Sequence, residues 1–277
     1  MKFSALSALA SAVALVAISL TGCKKDDVEA SSPTEFTLHM DNGVTMPDPA
    51  SNNAPKFFSL VLGSGNYKNA YGDNFTVSTL KYYISNVKLN KADGSSYAVP
   101  DSYFLVDQTD PASQDLTMTG APEGEYSSVS FIVGVDSART KAGSYGGGVL
   151  NAGKGMFWDM NGPEFINFKL EGNSPQAPHA PAAATGALVF HIAGYKHSTT
   201  NTIRTVTVPF TTSKLIIARD HKPEVHMLVE VANMFGKAPG PLVSFASTYN
   251  VMGGTTAARI ADNIQANVFS VGHIHAN

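Results

Sequence analysis

The chain has 277 residues, with 24 glycines, 15 prolines and 15% charged residues, the make-up of a turn-rich β protein rather than a helical bundle. A formal net charge of -3 supplies no concentrated basic surface and argues against nucleic acid as a partner. The single cysteine excludes an intrachain disulfide framework and cysteine-built zinc or iron–sulfur centres.

Residues 1–22 read as a secretory signal. Lys2 supplies the positive start, and Ser4 to Leu20 is an apolar run too short for a comfortable membrane span. Leu20-Thr21-Gly22-Cys23 follows and looks like a bacterial lipobox, so acylation of Cys23 would tether the domain to a bilayer. Residues 23–33, with Lys24-Lys25-Asp26-Asp27, form a polar tether with too little apolar content to pack. The expected location is the cell envelope, as an outer-membrane lipoprotein facing either side.

One domain is expected over 34–277. Strand signals recur at Phe36–Met40, Lys56–Leu62, Thr76–Leu89, Tyr103–Val106, Tyr126–Val135, Met156–Met160, Phe165–Glu171, Ala187–Tyr195, Arg204–Val208, Lys214–Ile217 and Glu224–Val231. This pattern predicts an all-β, antiparallel β-sandwich. Long loops are expected at Asp107–Gly124 and Gly172–Thr185. A helical turn is expected at Val231–Gly236. A short C-terminal helix is expected at Thr255–Val268, where Ala257, Ala261, Ile264 and Val268 share one face. The chain then ends in Phe269–His275.

Catalytic patterns are thin. There is no Gly-x-Ser-x-Gly elbow and no His-Glu-x-x-His helix, and Gly143–Gly148 lacks the residues of a phosphate loop. The chain is therefore not expected to be an enzyme. Its eight histidines carry more weight. His273-x-His275 puts two imidazoles on one strand face, about 7 Å apart by strand rise. His226 and Glu230 share an outward face, which solvation alone explains. In the Gly155–Gly172 hairpin, Trp158 and Met160 share a face around an Asn161-Gly162 turn. This is either core packing or a soft-metal corner completed by a histidine from another strand, a donor set suited to copper(I).

At that hairpin the sequence resembles the MbnP-like family of methanobactin-associated copper-binding proteins. The resemblance runs through Leu80-Lys81-Tyr82-Tyr83-Ile84-Ser85-Asn86-Val87-Lys88-Leu89, Tyr103-Phe104-Leu105-Val106-Asp107, and Phe131-Ile132-Val133-Gly134-Val135-Asp136-Ser137. It continues with Phe190-His191-Ile192-Ala193-Gly194 and Ala261-Asp262-Asn263-Ile264. It implies a β-sandwich that binds copper outside the cytoplasm, with a tryptophan oxidised to kynurenine by a di-haem cytochrome-peroxidase-like partner. Trp158 matches the modified position and His191 a histidine ligand. Met160 stands where relatives carry histidine or tryptophan, so the implied metal set is Trp158, His191 and Met160. His39, His197, His226, His273 and His275 are reserve ligands, and Tyr145 and Tyr195 candidates for electron transfer. The alternative is a metal-free surface lipoprotein that recognises a polymer or protein through its loops.

Overall fold

Alternation of apolar and polar residues decides which face of each strand is buried, and most strands form two facing sheets, with a separate two-stranded ribbon of Gly124–Tyr126 and Leu215–Ile217. The computed structural model describes residues 33–142, 147–158, 164–194, 200–211 and 213–275. The strands that position the site are Glu35–Asp48 (β1), Ala54–Ser59 (β2), Asn74–Asn90 (β3), Tyr103–Asp107 (β4), Asp115–Thr119 (β5) and Ser128–Val133 (β6). Then come Phe157–Trp158 (β7), Glu164–Ser174 (β8), Gly186–Ala193 (β9), Arg204–Pro209 (β10), Glu224–Glu230 (β11) and Phe269–His275 (β12).

The first sheet runs β12-β11-β1-β2, with β5 also on β1. One edge of β1 is divided between two partners: residues 35–39 pair with β5 and residues 43–48 with β2. The second sheet runs β10-β6-β3-β8-β9, with β4 on β3 and β7 on β8. Pairing is mostly antiparallel, as expected. Two pairs depart from this: β1 with β11, and β9 with Asn250–Val251, are parallel. Long connections allow this; some 175 residues separate β1 from β11.

The sheets close on a shared core. Phe36, Leu38 and Met40 of β1 and Val225, Met227 and Val229 of β11 point inward, each almost fully buried. They meet Tyr82, Ile84, Phe168, Leu170 and Phe190 from the second sheet. Tyr82 stacks on Phe168 at 5.1 Å, and the edge of Phe269 meets Tyr82 at 6.1 Å. Each such side chain contributes about 1.5–3 kcal/mol on burial. A satellite core covers the other face of the second sheet, where Tyr83, Val135, Leu150, Met156, Phe165 and Ile166 cluster.

The C-terminal helix spans Gly254–Asn267 (α1) and buries Ala257, Ile260, Ala261 and Ile264, the spacing of one helical face. Val231–Phe235 is a 3₁₀ turn closed at Gly236, whose φ of 101° suits glycine. The stretch read as one long loop, Asp107–Gly124, is more ordered than expected. It holds a 3₁₀ turn at Pro111–Gln114 and the strand β5. Leu116 and Met118 alternate inward along that strand, so two buried side chains in five residues suffice to dock it on β1.

Candidate metal centre

Three strands of the first sheet each carry ligand-type residues two apart: His39-Met40-Asp41 on β1, Glu224-Val225-His226 on β11, and His273-Ile274-His275 on β12. Residues at i and i+2 share a face. The residue between each pair faces the other way, with Met40 and Val225 fully buried, so the six ligand-type side chains all project from the outer face.

Register converts these pairs into a cluster. Asp115 pairs with His39, His39 with His226, and His226 with His273. Adjacent strands lie about 4.8 Å apart, and the rings follow that spacing. His39 and His226 are 4.8 Å apart, and His226 and His273 are stacked at 4.4 Å. His275 stands nearly perpendicular to both neighbours, 5.0 Å from His226 and 4.4 Å from His273. A register shift beside His226 leaves Gly272 unpaired, a bulge that lets β12 present both its histidines on this face.

Carboxylates orient the imidazoles. Asp115 holds Nδ1 of His39, leaving Nε2 turned toward Asp41 at 3.4 Å. Asp41 holds Nδ1 of His226 at 2.7 Å, and Glu224 meets its Nε2 at 3.0 Å. A carboxylate on one ring nitrogen fixes tautomer and direction for a metal at the other. His226 is the least exposed of the cluster at 18%. Lost hydration, then neighbouring His226 and His275, hold His273 below the ordinary imidazole value, against a smaller upward pull from Asp41 and Glu224. A lowered value favours the neutral ring that a metal requires.

The donor set fits a transition metal. His226, His273 and His275 offer nitrogens within 4.8 Å of one another, as do the ligand atoms of His39, Asp41 and His226. The Nε2 atoms of His273 and His275 lie 2.8 Å apart. Two nitrogens at that separation, each about 2.0–2.1 Å from an ion, subtend roughly 90° at it, the angle of adjacent ligands in a tetragonal site. Imidazole with carboxylate suits copper(II), nickel or zinc better than a thioether corner does.

His191 sits elsewhere. It projects from the outer face of β9 in the second sheet, with Nε2 2.8 Å from Glu171 and Lys169 as its register partner on β8. Glu171 loses hydration there, which pushes its carboxyl up, but bonds from His191 and Lys169 overturn that and hold it below the usual value. The backbone of Trp158 pairs with Glu164 on β8. The side chain of Trp158, together with Cys23, Tyr145, Met160, Tyr195 and His197, lies outside the described residues. Four of the five reserve histidines therefore meet at one place, which does not include His191. The sequence signal for it was the set of three i, i+2 pairs. The missing information was which strands pair, since β11 lies between β1 and β12 only in the folded sheet.

No curated protein matches the chain. Among solved structures, MbnP from Methylosinus trichosporium is similar, at 12% identity with a TM-score of 0.47, over 80% of this chain and 83% of that one. A family model described as MbnP matches residues 33–253, most of the chain, which therefore belongs to the MbnP family.

Proposed function

We propose that this protein binds copper outside the cytoplasm, as a lipoprotein held at the outer membrane through acylated Cys23. It handles the metal and does not catalyse a reaction. One observation carries the reading: His39, His226, His273 and His275 converge on one sheet face, with carboxylates already orienting two of the rings. Imidazole nitrogens supply the bonds. Asp115 and Asp41 hold ring direction, and the open face leaves room for a delivering or receiving molecule.

The family resemblance adds a second element to the proposal. A di-haem cytochrome-peroxidase-like partner, with hydrogen peroxide as oxidant, would cleave the pyrrole ring of Trp158 to N-formylkynurenine, and hydrolysis would release the formyl carbon as formate, freeing the aromatic amine of kynurenine as a further donor beside His191 and Met160. The indole nitrogen is a poor ligand because its lone pair belongs to the ring, so this oxidation converts a packing residue into a ligand.

The test is metal analysis and intact mass of mature protein from its native host. Copper at stoichiometric level is expected, with the share held by the histidine cluster lost in His226→Ala and kept in His191→Ala. Acylation at Cys23 and ring-opening of Trp158 appear in the same mass measurement. Copper lost only in His191→Ala would move the metal to the hairpin set, and metal-free native protein would end the reading.

A further inference from the structure

The cluster has more ligands and more negative charge than one ion uses. Asp41, Asp115 and Glu224 all touch its rings. With neutral imidazoles, these three carboxylates leave an excess charge that one monovalent or one divalent ion does not cancel. The ligand atoms also fall into two groups, His39 with Asp41 and His226, and His226 with His273 and His275. Only His226 belongs to both.

His226 is placed to be shared. Its Nδ1 faces Asp41, which also stands 3.4 Å from His39. Its Nε2 faces Glu224, the register partner of His275. The two nitrogens of an imidazole point in divergent directions, so ions on the two sides would be separate. The stacked rings of His226 and His273 lie 8° from parallel, and parallel rings do not aim their lone pairs at one point. The outer ion therefore rests first on Nε2 of His273 and Nε2 of His275, 2.8 Å apart. It closes on His226 by rotation of the exposed His273 ring.

Resting on the metal-binding reading above and extending it, we propose that the cluster holds two divalent transition-metal ions bridged by the imidazole ring of His226. The inner ion lies on His39, Asp41 and His226 Nδ1, the outer on His273, His275 and His226 Nε2. Binding the second ion displaces the remaining N–H proton of His226 to solvent. The bridging imidazolate then carries one negative charge. Together with Asp41, Asp115 and Glu224 it balances the four positive charges of two divalent ions.

The experiment titrates the metal-free mature chain with copper(II) sulfate, counts copper retained after desalting, and counts unpaired spins by low-temperature electron paramagnetic resonance. Two copper ions per chain are expected, with a spin count well below the copper count because a bridging imidazolate couples the pair. Loading one equivalent of zinc with one of copper should restore a full spin per copper. His39→Ala should retain one copper with its full spin, and a thermal melt of the metal-free variant checks that it folds. The wild-type spin count needs no variant. Saturation at one ion, or two ions with a full spin count, overturns the bridge and leaves the copper-binding reading standing. No copper retained by the wild type overturns both.

Discussion

Asp115 on β5 holds Nδ1 of His39 on β1, its direct register partner, and this turns Nε2 of the ring toward Asp41. The carboxylate is half exposed and its neighbours Leu116 and Met118 carry the packing of β5. Asp115→Ala should therefore weaken copper binding by about 10–100-fold, the usual effect of removing a carboxylate that orients a ligand. Folding stability should change by no more than about 0.5 kcal/mol, as for other surface substitutions. Competition with a coloured chelator reads the first quantity and urea unfolding the second. Unchanged affinity would remove Asp115 from the site.

Tyr82 is the polar link inside the sandwich. Its buried hydroxyl donates to Oδ1 of Asn42 at 2.8 Å, and Nδ2 of Asn42 donates to Gln108. Gln108 in turn donates to the carbonyl of Leu60. The chain of bonds ties β1 to β3 directly beneath Asp41. Tyr82→Phe leaves the Asn42 oxygen buried without a donor, at a cost of about 1–3 kcal/mol. A lower urea midpoint with an unchanged slope is the expected result, and an unchanged midpoint would show that the oxygen finds another partner.

The sandwich was legible because strand and core share one signal. Phe36, Leu38 and Met40 alternate with Thr37, His39 and Asp41, and local alternation fixes both the strand and its buried face. Ala257, Ala261 and Ile264 marked the helix face in the same way. The strand in Asp115–Thr119 was readable too, through Leu116 and Met118, but its five residues were lost among turn formers. The histidine cluster was only half legible. His273-x-His275 announced itself within one strand, whereas the meeting of His39, His226 and His273 depends on which strands pair. No local pattern encodes that. His226 beside Glu224 looks like an ordinary wetted face until β1 and β12 are placed on either side of it.

Gly172 offers a stability test in the second sheet, away from the histidine cluster. It lies on β8 where the register with β3 shifts, so that Glu171 pairs with Thr79 and Gly172 with Val77. A methyl group there would meet the carbonyl oxygen of Thr76 at 1.9 Å, and that oxygen belongs to backbone and has nowhere to retreat. Gly172→Ala should destabilise by about 1–3 kcal/mol or more, the cost of overfilling a packed site. Gly63→Ala is a contrasting control in open space, where only its positive φ of 79° opposes the new side chain. Thermal unfolding ranks the two, and Gly172→Ala melting above Gly63→Ala would refute the close approach.

Asp107 on β4 makes the fold sensitive to acid in a predictable direction. Burial pushes its carboxyl up, but the ammonium of Lys81 at 2.7 Å and bonds from Thr109 outweigh this and hold it below its ordinary value of 3.8. The unfolded chain therefore takes up the proton first. The stabilisation is fully present above 3.8 and is lost as pH falls through the lower folded value. Lys81→Met removes the cation and keeps the buried stem. The urea midpoints of wild type and variant should be furthest apart at neutral pH and converge as pH falls below the lowered folded value, where Asp107 is protonated in both states. A gap that stays constant over that range would mean that Lys81 contributes through packing and not through the charge of Asp107.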